Sequence, residues 1–116
     1  MEPLVTVAIA PSTQRLHASA AEGSGEAGEV LADFLNYDLQ ASLGSTEGLL
    51  KMVETAKHDA RALEQVGNAY SLTLDAEKAT LEDLFSEEEP APSISIPVVQ
   101  FQDALVRWAA GIREII

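Results

Sequence analysis

An alternation of apolar and hydroxyl-bearing side chains constrains the fold of this chain more than any other feature. Residues 70–74 read YSLTL, which places the tyrosine and both leucines on one face of a strand and the serine and threonine on the other. Residues 75–78 read DAEK and predict a turn, and the chain returns as a second strand through residue 85. The 70–85 hairpin therefore has one apolar face, which helices must cover.

Three helical segments are predicted to supply that cover. Apolar residues recur at helical spacing in three segments. The first begins at Glu29 and the third follows Pro97. The second is predicted to have Ser45 or Thr46 as its N-cap and Gly67 as its C-cap. In the last segment, Phe101, Leu105, Trp108, Ile112 and Ile115 repeat at steps of four and three. Such a stripe could dock a partner helix, but it is typical of a core. The predicted helices span residues 29–44, 45–67 and 97–115.

The N-terminal residues predict further strands. Residues 4–10 read LVTVAIA, rich in β-branched side chains, and residues 15–19 can return as a partner strand. A Gly-rich loop follows over residues 20–28, and SISI at residues 93–96 predicts a short strand. A chain of 116 residues corresponds to one domain. We therefore expect a single α+β domain over 1–116, with a small antiparallel sheet (an N-terminal strand or hairpin plus the 70–85 hairpin) packed against about three helices.

The charge balance limits the partners. Nineteen acidic residues against seven basic ones give a formal net charge of −12, which repels nucleic-acid phosphates and anionic membranes. We expect binding to neither. The same field attracts a basic protein and speeds its arrival. The alternative interpretation is that the acidity serves only solubility.

The sequence also indicates a compartment. Cysteine is absent, which suits a reducing environment. The N-terminal apolar run has no positively charged region before it and is too short to span a bilayer. We expect a cytoplasmic protein.

No pattern predicts catalysis, a metal or a cofactor. His17 and His58 have no partner at metal-ligand spacing, and Asp59, which follows His58, is expected to point elsewhere on the helix. The Gly-rich stretch at residues 23–28 lacks the lysine of a phosphate-binding loop, and no nucleophile motif such as GxSxG is present. We predict that the chain is not an enzyme.

An acidic run is the main candidate for a binding surface. Residues 81–92 read LEDLFSEEEPAP, without a lysine or arginine, and Pro90 and Pro92 keep the loop extended. Together with the acidic residues of the preceding turn, this run predicts one contact set for a basic partner. Its members are Asp75, Glu77, Glu82, Asp83, Glu87, Glu88 and Glu89.

The hairpin and its flanks resemble the YacL family of small uncharacterised bacterial proteins. The residues concerned are GNAYSLTLD at 67–75 and Glu77, followed by a strand, an acidic loop and a closing helix with Phe101 and Trp108; upstream, Glu26, Gly28 and 34–36 (FLN) match more loosely. The resemblance covers about three quarters of the chain. It implies the fold and carries no chemistry.

In general character the chain is also similar to the immunity proteins of contact-dependent inhibition systems, which neutralise toxin nucleases in the cytoplasm. That similarity implies an acidic inhibitor that occupies the basic cleft of a nuclease toxin. The alternative hypothesis is a YacL-like housekeeping protein that forms a homodimer through its C-terminal helix.

Overall fold

The computed structural model describes residues 2–89 and 91–116 and contains six strands, three α-helices and one π-helix. In chain order the elements are β1 (Val5–Ile9), β2 (Leu16–Ala20), α1 (Gly25–Asp33), the π-helix (Phe34–Leu39), α2 (Leu43–Asp59), β3 (Leu63–Val66), β4 (Tyr70–Leu74), β5 (Lys78–Asp83), β6 (Ser93–Pro97) and α3 (Val98–Ile115). The fold class is α+β, as predicted. None of the helices in these two ranges combines the length and the apolar content needed to cross a bilayer.

The strands form two antiparallel sheets rather than one. β1 and β2 pair with each other alone, from Val5 opposite Ala20 to Ile9 opposite Leu16. The second sheet has the order β3-β4-β5-β6, with each strand antiparallel to the next. The predicted N-terminal and 70–85 hairpins are both confirmed. They contribute to different sheets, which the helices join.

The core lies between the apolar faces of the sheets and the three α-helices. Phe34 and Phe101 meet there with ring centroids 5.9 Å apart. Trp108 is buried, and its indole Nε1 donates a hydrogen bond to the Gln40 carbonyl oxygen at 2.7 Å. Leu105 and Ile112 are fully buried on the same side of α3. The interpretation of the α3 stripe as core is confirmed, because these side chains are buried against other parts of the same chain.

The two predicted starts of the first helices are wrong. α1 begins at Gly25, inside the segment assigned to a loop, and its helical path continues without a break into the π-helix. The N-cap of α2 is Ser42, whose Oγ accepts the Ser45 N–H at 3.2 Å. Gly44 therefore lies in the first turn of α2 and does not separate two helices. Ser42 itself has the extended backbone conformation of an N-cap residue, with φ −97° and ψ 104°.

The predicted end of the second helix is also wrong. α2 ends at Asp59, where Ala60 adopts the left-handed conformation with φ 50°, and residues 63–66 form β3. Gly67 instead occupies the turn between β3 and β4. A Cβ at this position would lie 2.7 Å from Asp38 Oδ2. The glycine is needed for close approach of the π-helix to the turn, and not to terminate a helix.

The C-terminal half follows the prediction closely. β4, β5 and β6 match the predicted hairpin and SISI strand, and Pro97 is the last residue of β6 and the N-cap of α3. The Val98 N–H, the first of α3, donates to the Glu77 carbonyl oxygen at 2.9 Å. Pro92 lies just before β6, whereas Pro90, which was expected to help extend the loop, lies outside the described residues.

Two glycines inside helices provide a matched test of this packing. A Cβ on Gly28 in α1 would lie 2.6 Å from the Leu4 carbonyl oxygen, whereas a Cβ on Gly48 in α2 would meet nothing within 4 Å. We predict that Gly28→Ala destabilises the fold by about 1–3 kcal/mol, because backbone must move. Gly48→Ala should stabilise it by about 1 kcal/mol through helix propensity. Urea unfolding monitored by Trp108 fluorescence measures both, and equal effects would contradict the packing of α1 against residue 4.

Candidate partner-binding site

The seven acidic residues predicted to form one contact set lie in two places. β5 runs for six residues, so its ends are about 16 Å apart. Asp75 and Glu77 lie in the turn at one end, and Asp83 with the following loop lies at the other. Glu82 and Asp83 are neighbours in β5 and so point to opposite faces of the sheet. A strand therefore separates the turn from the loop, and the seven residues do not form one compact cluster.

The turn residue Asp75 is engaged with its own backbone. Its Oδ1 accepts the N–H groups of Glu77 at 2.8 Å and of Lys78 at 2.9 Å. These two donors, with a smaller contribution from the charge of Lys78, lower the pKa of Asp75. Asp75 therefore closes the β4–β5 turn, while the side chain of Glu77 is exposed beside it.

The opposite end of the sheet gathers acidic residues from distant parts of the chain. Tyr70 pairs with Asp83 across β4 and β5, and Asp33 and Asp38 approach Tyr70 from α1 and the π-helix. Glu26 lines a small hollow with Tyr70 and Asp83. We call this region the acidic end. It comprises Glu26, Asp33, Asp38, Tyr70, Glu82, Asp83 and the loop 84–89.

The pKa of the Tyr70 phenol is affected by burial and by the carboxylates around it. Its pKa is raised to about 12, first by burial and then by the negative charges of Asp33, Asp83 and Asp38. A second anion beside these carboxylates is unfavourable, so the hydroxyl stays protonated. The phenol is therefore influenced by three carboxylates that come from different segments of the chain.

Backbone donors hold one of these carboxylates in place. Asp38 accepts the Ala69 N–H at 2.6 Å and the Tyr70 N–H at 3.0 Å, one on each carboxylate oxygen. The Gly67 N–H donates to the Tyr70 carbonyl oxygen at 2.9 Å and closes the same turn. Charge-assisted hydrogen bonds of this kind fix the carboxylate beside the sheet and offset its repulsion by neighbouring acids.

The acidic loop also presents exposed apolar side chains. Asp83 Oδ1 accepts the Phe85 N–H at 2.9 Å, which fixes a tight turn, and the Phe85 side chain is 76% exposed. Leu84, whose N–H donates to the Ala69 carbonyl oxygen, is exposed as well. Val66 is 70% exposed and lies opposite Ser71, which lies opposite Glu82. The acidic loop therefore presents an exposed aromatic side chain in a segment rich in acidic residues.

Sequence reasoning placed Phe85 incorrectly. The predicted second strand of the hairpin ran through residue 85, but β5 ends at Asp83 and the alternation ends with it. Asp33 and Asp38 were missed because they lie more than thirty residues from the loop. A signal existed in the helical spacing of Glu26 and Asp33, seven residues apart and so on one face of α1.

Basic residues are absent from the segments that build the acidic end. Residues 16–50 and 79–106 contain no lysine or arginine. Lys57, Arg61 and Lys78 instead lie on or beside α2 and at the β4–β5 turn, the other end of the sheet. These three cations therefore lie away from the acidic end and share the other end of the sheet with Asp59, Asp75 and Glu77.

The histidines do not form a site. Both His17 and His58 are exposed, and across residues 2–89 and 91–116 no three His, Asp or Glu side chains are grouped to hold a metal ion. The expectation that His58 and Asp59 point apart is wrong, since His58 Nδ1 lies 3.1 Å from Asp59 Oδ1. The helix ends at Asp59, which frees its side chain to turn back.

Comparison with known proteins adds no assignment: no family model, curated protein or solved structure matches the chain.

The turn at Asp75 generates a pH-dependent prediction. Because its pKa in the folded protein is lowered from 3.8, Asp75 stabilises the fold above that pH, and this stabilisation is lost as the pH falls below it. Asp75→Ala should lower the melting temperature at neutral pH. Asp75→Asn keeps an oxygen acceptor for both N–H groups. It should therefore lose only the part of the stabilisation that depends on the ionised carboxylate. Thermal unfolding from pH 7 to pH 2 distinguishes them, and identical profiles for the two variants would contradict the role of the Oδ1 acceptor.

Proposed function

We propose that the chain is an acidic protein that binds and blocks a basic protein partner through its acidic end. The observation that carries the proposal is the exposed Phe85, held by Asp83 in a loop whose next acidic residues are Glu87, Glu88 and Glu89. An aromatic anchor supplies affinity on desolvation, and the surrounding carboxylates supply orientation and rate of encounter. Each part of the surface has a distinct energetic role.

The partner class follows from the charge. A nuclease must hold phosphates, so its cleft is basic, and a protein with a concentrated negative pole competes with the nucleic acid for that cleft. Inhibition of this kind needs no catalytic residue. We propose a toxin nuclease of a bacterial competition system as the partner and the cytoplasm as the site of action, where such a toxin would meet its substrate.

The proposed contact set differs from the one taken from the sequence. Glu82, Asp83, Glu87, Glu88 and Glu89 stay in it, since they lie at the acidic end. Asp75 and Glu77 lie at the other end of the sheet and serve as an internal comparison. Asp33, Asp38 and Phe85 join the set.

A YacL-like housekeeping role is the alternative proposal, supported by the GNAYSLTLD stretch and the closing aromatic helix. Gene order separates the two proposals: an immunity gene directly follows the gene of its toxin, and a housekeeping gene has no such neighbour.

The charge of the loop is tested by capture from a lysate of the source organism, with the immobilised chain as bait at low and moderate salt. We expect one basic protein to bind at low salt and to be released as salt screens the attraction. The triple variant Glu87→Gln, Glu88→Gln, Glu89→Gln should weaken its capture about tenfold or more. A control with the same net charge, Glu47→Gln, Glu54→Gln, Glu77→Gln, should retain it. Equal losses in both would show attraction by net charge alone and would exclude the loop as the contact.

Phe85 is tested with the purified captured partner. Phe85→Ala should raise the dissociation constant about tenfold or more, because the ring becomes buried only on binding. The melting temperature should not change, since the side chain is exposed in the free chain. Tyr37→Ala, which removes another exposed aromatic side chain, is the control. The partner's nuclease activity, with and without each variant, measures whether binding also inhibits. Unchanged affinity in Phe85→Ala would remove the anchor from the proposal.

A further inference from the structure

A groove lies on a different part of the surface, between the free edge of β1 and α3. It has a volume of about 450 Å³, and β1 lines it over its whole length together with Arg107, Ala110, Gly111 and Glu114 of α3. It shares no residue with the acidic end. Within residues 2–89 and 91–116 β1 pairs only with β2, and no strand lies beside its other edge.

The hydrogen-bonding groups on that edge can be assigned from the register. The Ala21 N–H donates to the Leu4 carbonyl oxygen and the Ala10 N–H to the Arg15 carbonyl oxygen, which fixes the even-numbered residues of β1 as those bonded to β2. The N–H and carbonyl groups of Val5, Val7 and Ile9 therefore point away from β2; Val7 and Ile9 are partly exposed along the groove, whereas Val5 is buried. They form a ready template for one more antiparallel strand.

The outward backbone groups of β2 and of β1, the two edges of the N-terminal sheet, differ in their hydrogen bonding. On β2 the outward groups of Ala18 are bonded on both sides by Asn36, whose Oδ1 accepts the N–H and whose Nδ2 donates to the carbonyl oxygen, each at 2.9 Å. Among the described residues no side chain bonds the outward groups of β1 in this way, although Val5 is buried, and residues 3–14 contain no charged side chain. Edge strands that must avoid pairing carry charges, prolines or bulges. β1 has none of these over residues 5–9, whereas β3 carries an exposed glutamate and β6 ends in a proline.

α3 forms the second wall of the groove, and its contacts fix how it lies relative to β1. The Gln100 side chain donates to the Glu2 carbonyl oxygen at 2.9 Å, and Gly111 lies against Leu16 and Val7, where an added Cβ would be 2.6 Å from Leu16 Cδ1 and 3.1 Å from Val7 Cγ1. From Gln100 to Gly111 the helix rises about 16 Å, and from Glu2 to Val7 the chain advances about 16 Å. Because both ends of these two intervals are close to each other, α3 runs alongside β1 in the same direction. Arg107 therefore lies about 6 Å before the level of Val7, and Glu114 about 4.5 Å after it.

We propose that this groove is the interface of a symmetric homodimer in which β1 of each copy adds to β1 of the other. A two-fold axis at Val7 pairs Val7 with Val7 of the second copy and Val5 with Ile9 of the second copy. The outward backbone groups of Val7 are then bonded, and those of Val5 and Ile9 are bonded once the groups that cover Val5 move aside.

The same axis brings the charged walls together. It places Arg107 within about 2 Å, along the strand direction, of Glu114 of the second copy, and the reciprocal pair forms on the other side. The small side chains at Ala110 and Gly111 come next to the axis and let the two helices approach closely. Arg107 bonds Asp103 at 2.8 Å in the single chain and lies half exposed, so its guanidinium keeps donors free for a second carboxylate.

A charge swap tests the geometry. We expect sedimentation equilibrium of the full chain to show a monomer–dimer equilibrium. Arg107→Glu and Glu114→Arg should each weaken dimerisation about tenfold or more, because each single reversal sets like charges face to face twice. The double variant restores both pairs and should recover the wild-type dimerisation constant. Circular dichroism and melting temperature check that each variant folds.

A proline pair tests the strand addition separately. Val7→Pro removes an outward N–H and should weaken the dimer, while Val66→Pro removes an outward N–H from the free edge of β3 and should not. A chain that stays monomeric at every concentration would overturn the proposal and would leave the groove to an extended segment of another protein. A dimer that the single reversals leave intact, or that the double swap does not restore, would also overturn it. Neither result depends on the partner of the acidic end, so the two proposals fail independently.

Discussion

The π-helix at Phe34–Leu39 and the residue after it are the constraint on which the rest of this structure depends. Asn36 bonds the edge of β2, Asp38 bonds the turn between β3 and β4, and the Gln40 carbonyl oxygen accepts the indole N–H of Trp108 in α3. Both sheets and the closing helix are thus joined to one short segment. Since a π-helix is rare and less favourable than an α-helix, its presence here indicates that these bonds offset its cost.

That arrangement also explains how a fold can gather so much negative charge. Asp38 and Asp83 each accept backbone N–H groups, so their charges are held by fixed donors where repulsion would otherwise separate them. The acidic end is therefore built into the turns that define it. Loss of one of these carboxylates would remove both a charge and a structural hydrogen bond, which is why Glu87, Glu88 and Glu89, whose side chains do not hold the turns, are the cleaner probes of binding.

Sequence periodicity predicted the elements that have one apolar face. It failed where an element boundary depends on how closely two segments approach each other in the fold. α3 and the β4–β5 hairpin repeat their patterns over enough residues to be found. Gly67 resembles a helix C-cap in sequence, and only the position of Asp38 explains why glycine stands there. The true end of α2 uses Ala60 in a left-handed conformation, for which alanine gives no signal. The acidic loop is visible in the sequence because its acids form a run in one segment, whereas an acidic end assembled from three segments leaves no such run.

The two proposed surfaces differ in how charge acts on them. Each copy carries a net charge of −12, so two copies repel at long range, and a self-association surface is tolerated only where the chain is locally neutral. Residues 3–14 meet that condition, and Arg107 and Glu114 add one charge of each sign. Salt should therefore favour the dimer by screening its net repulsion and weaken capture of a basic partner by screening the attraction. A dimer would also carry two acidic ends, and a partner with two basic sites within reach of both would gain affinity by avidity without any new contact.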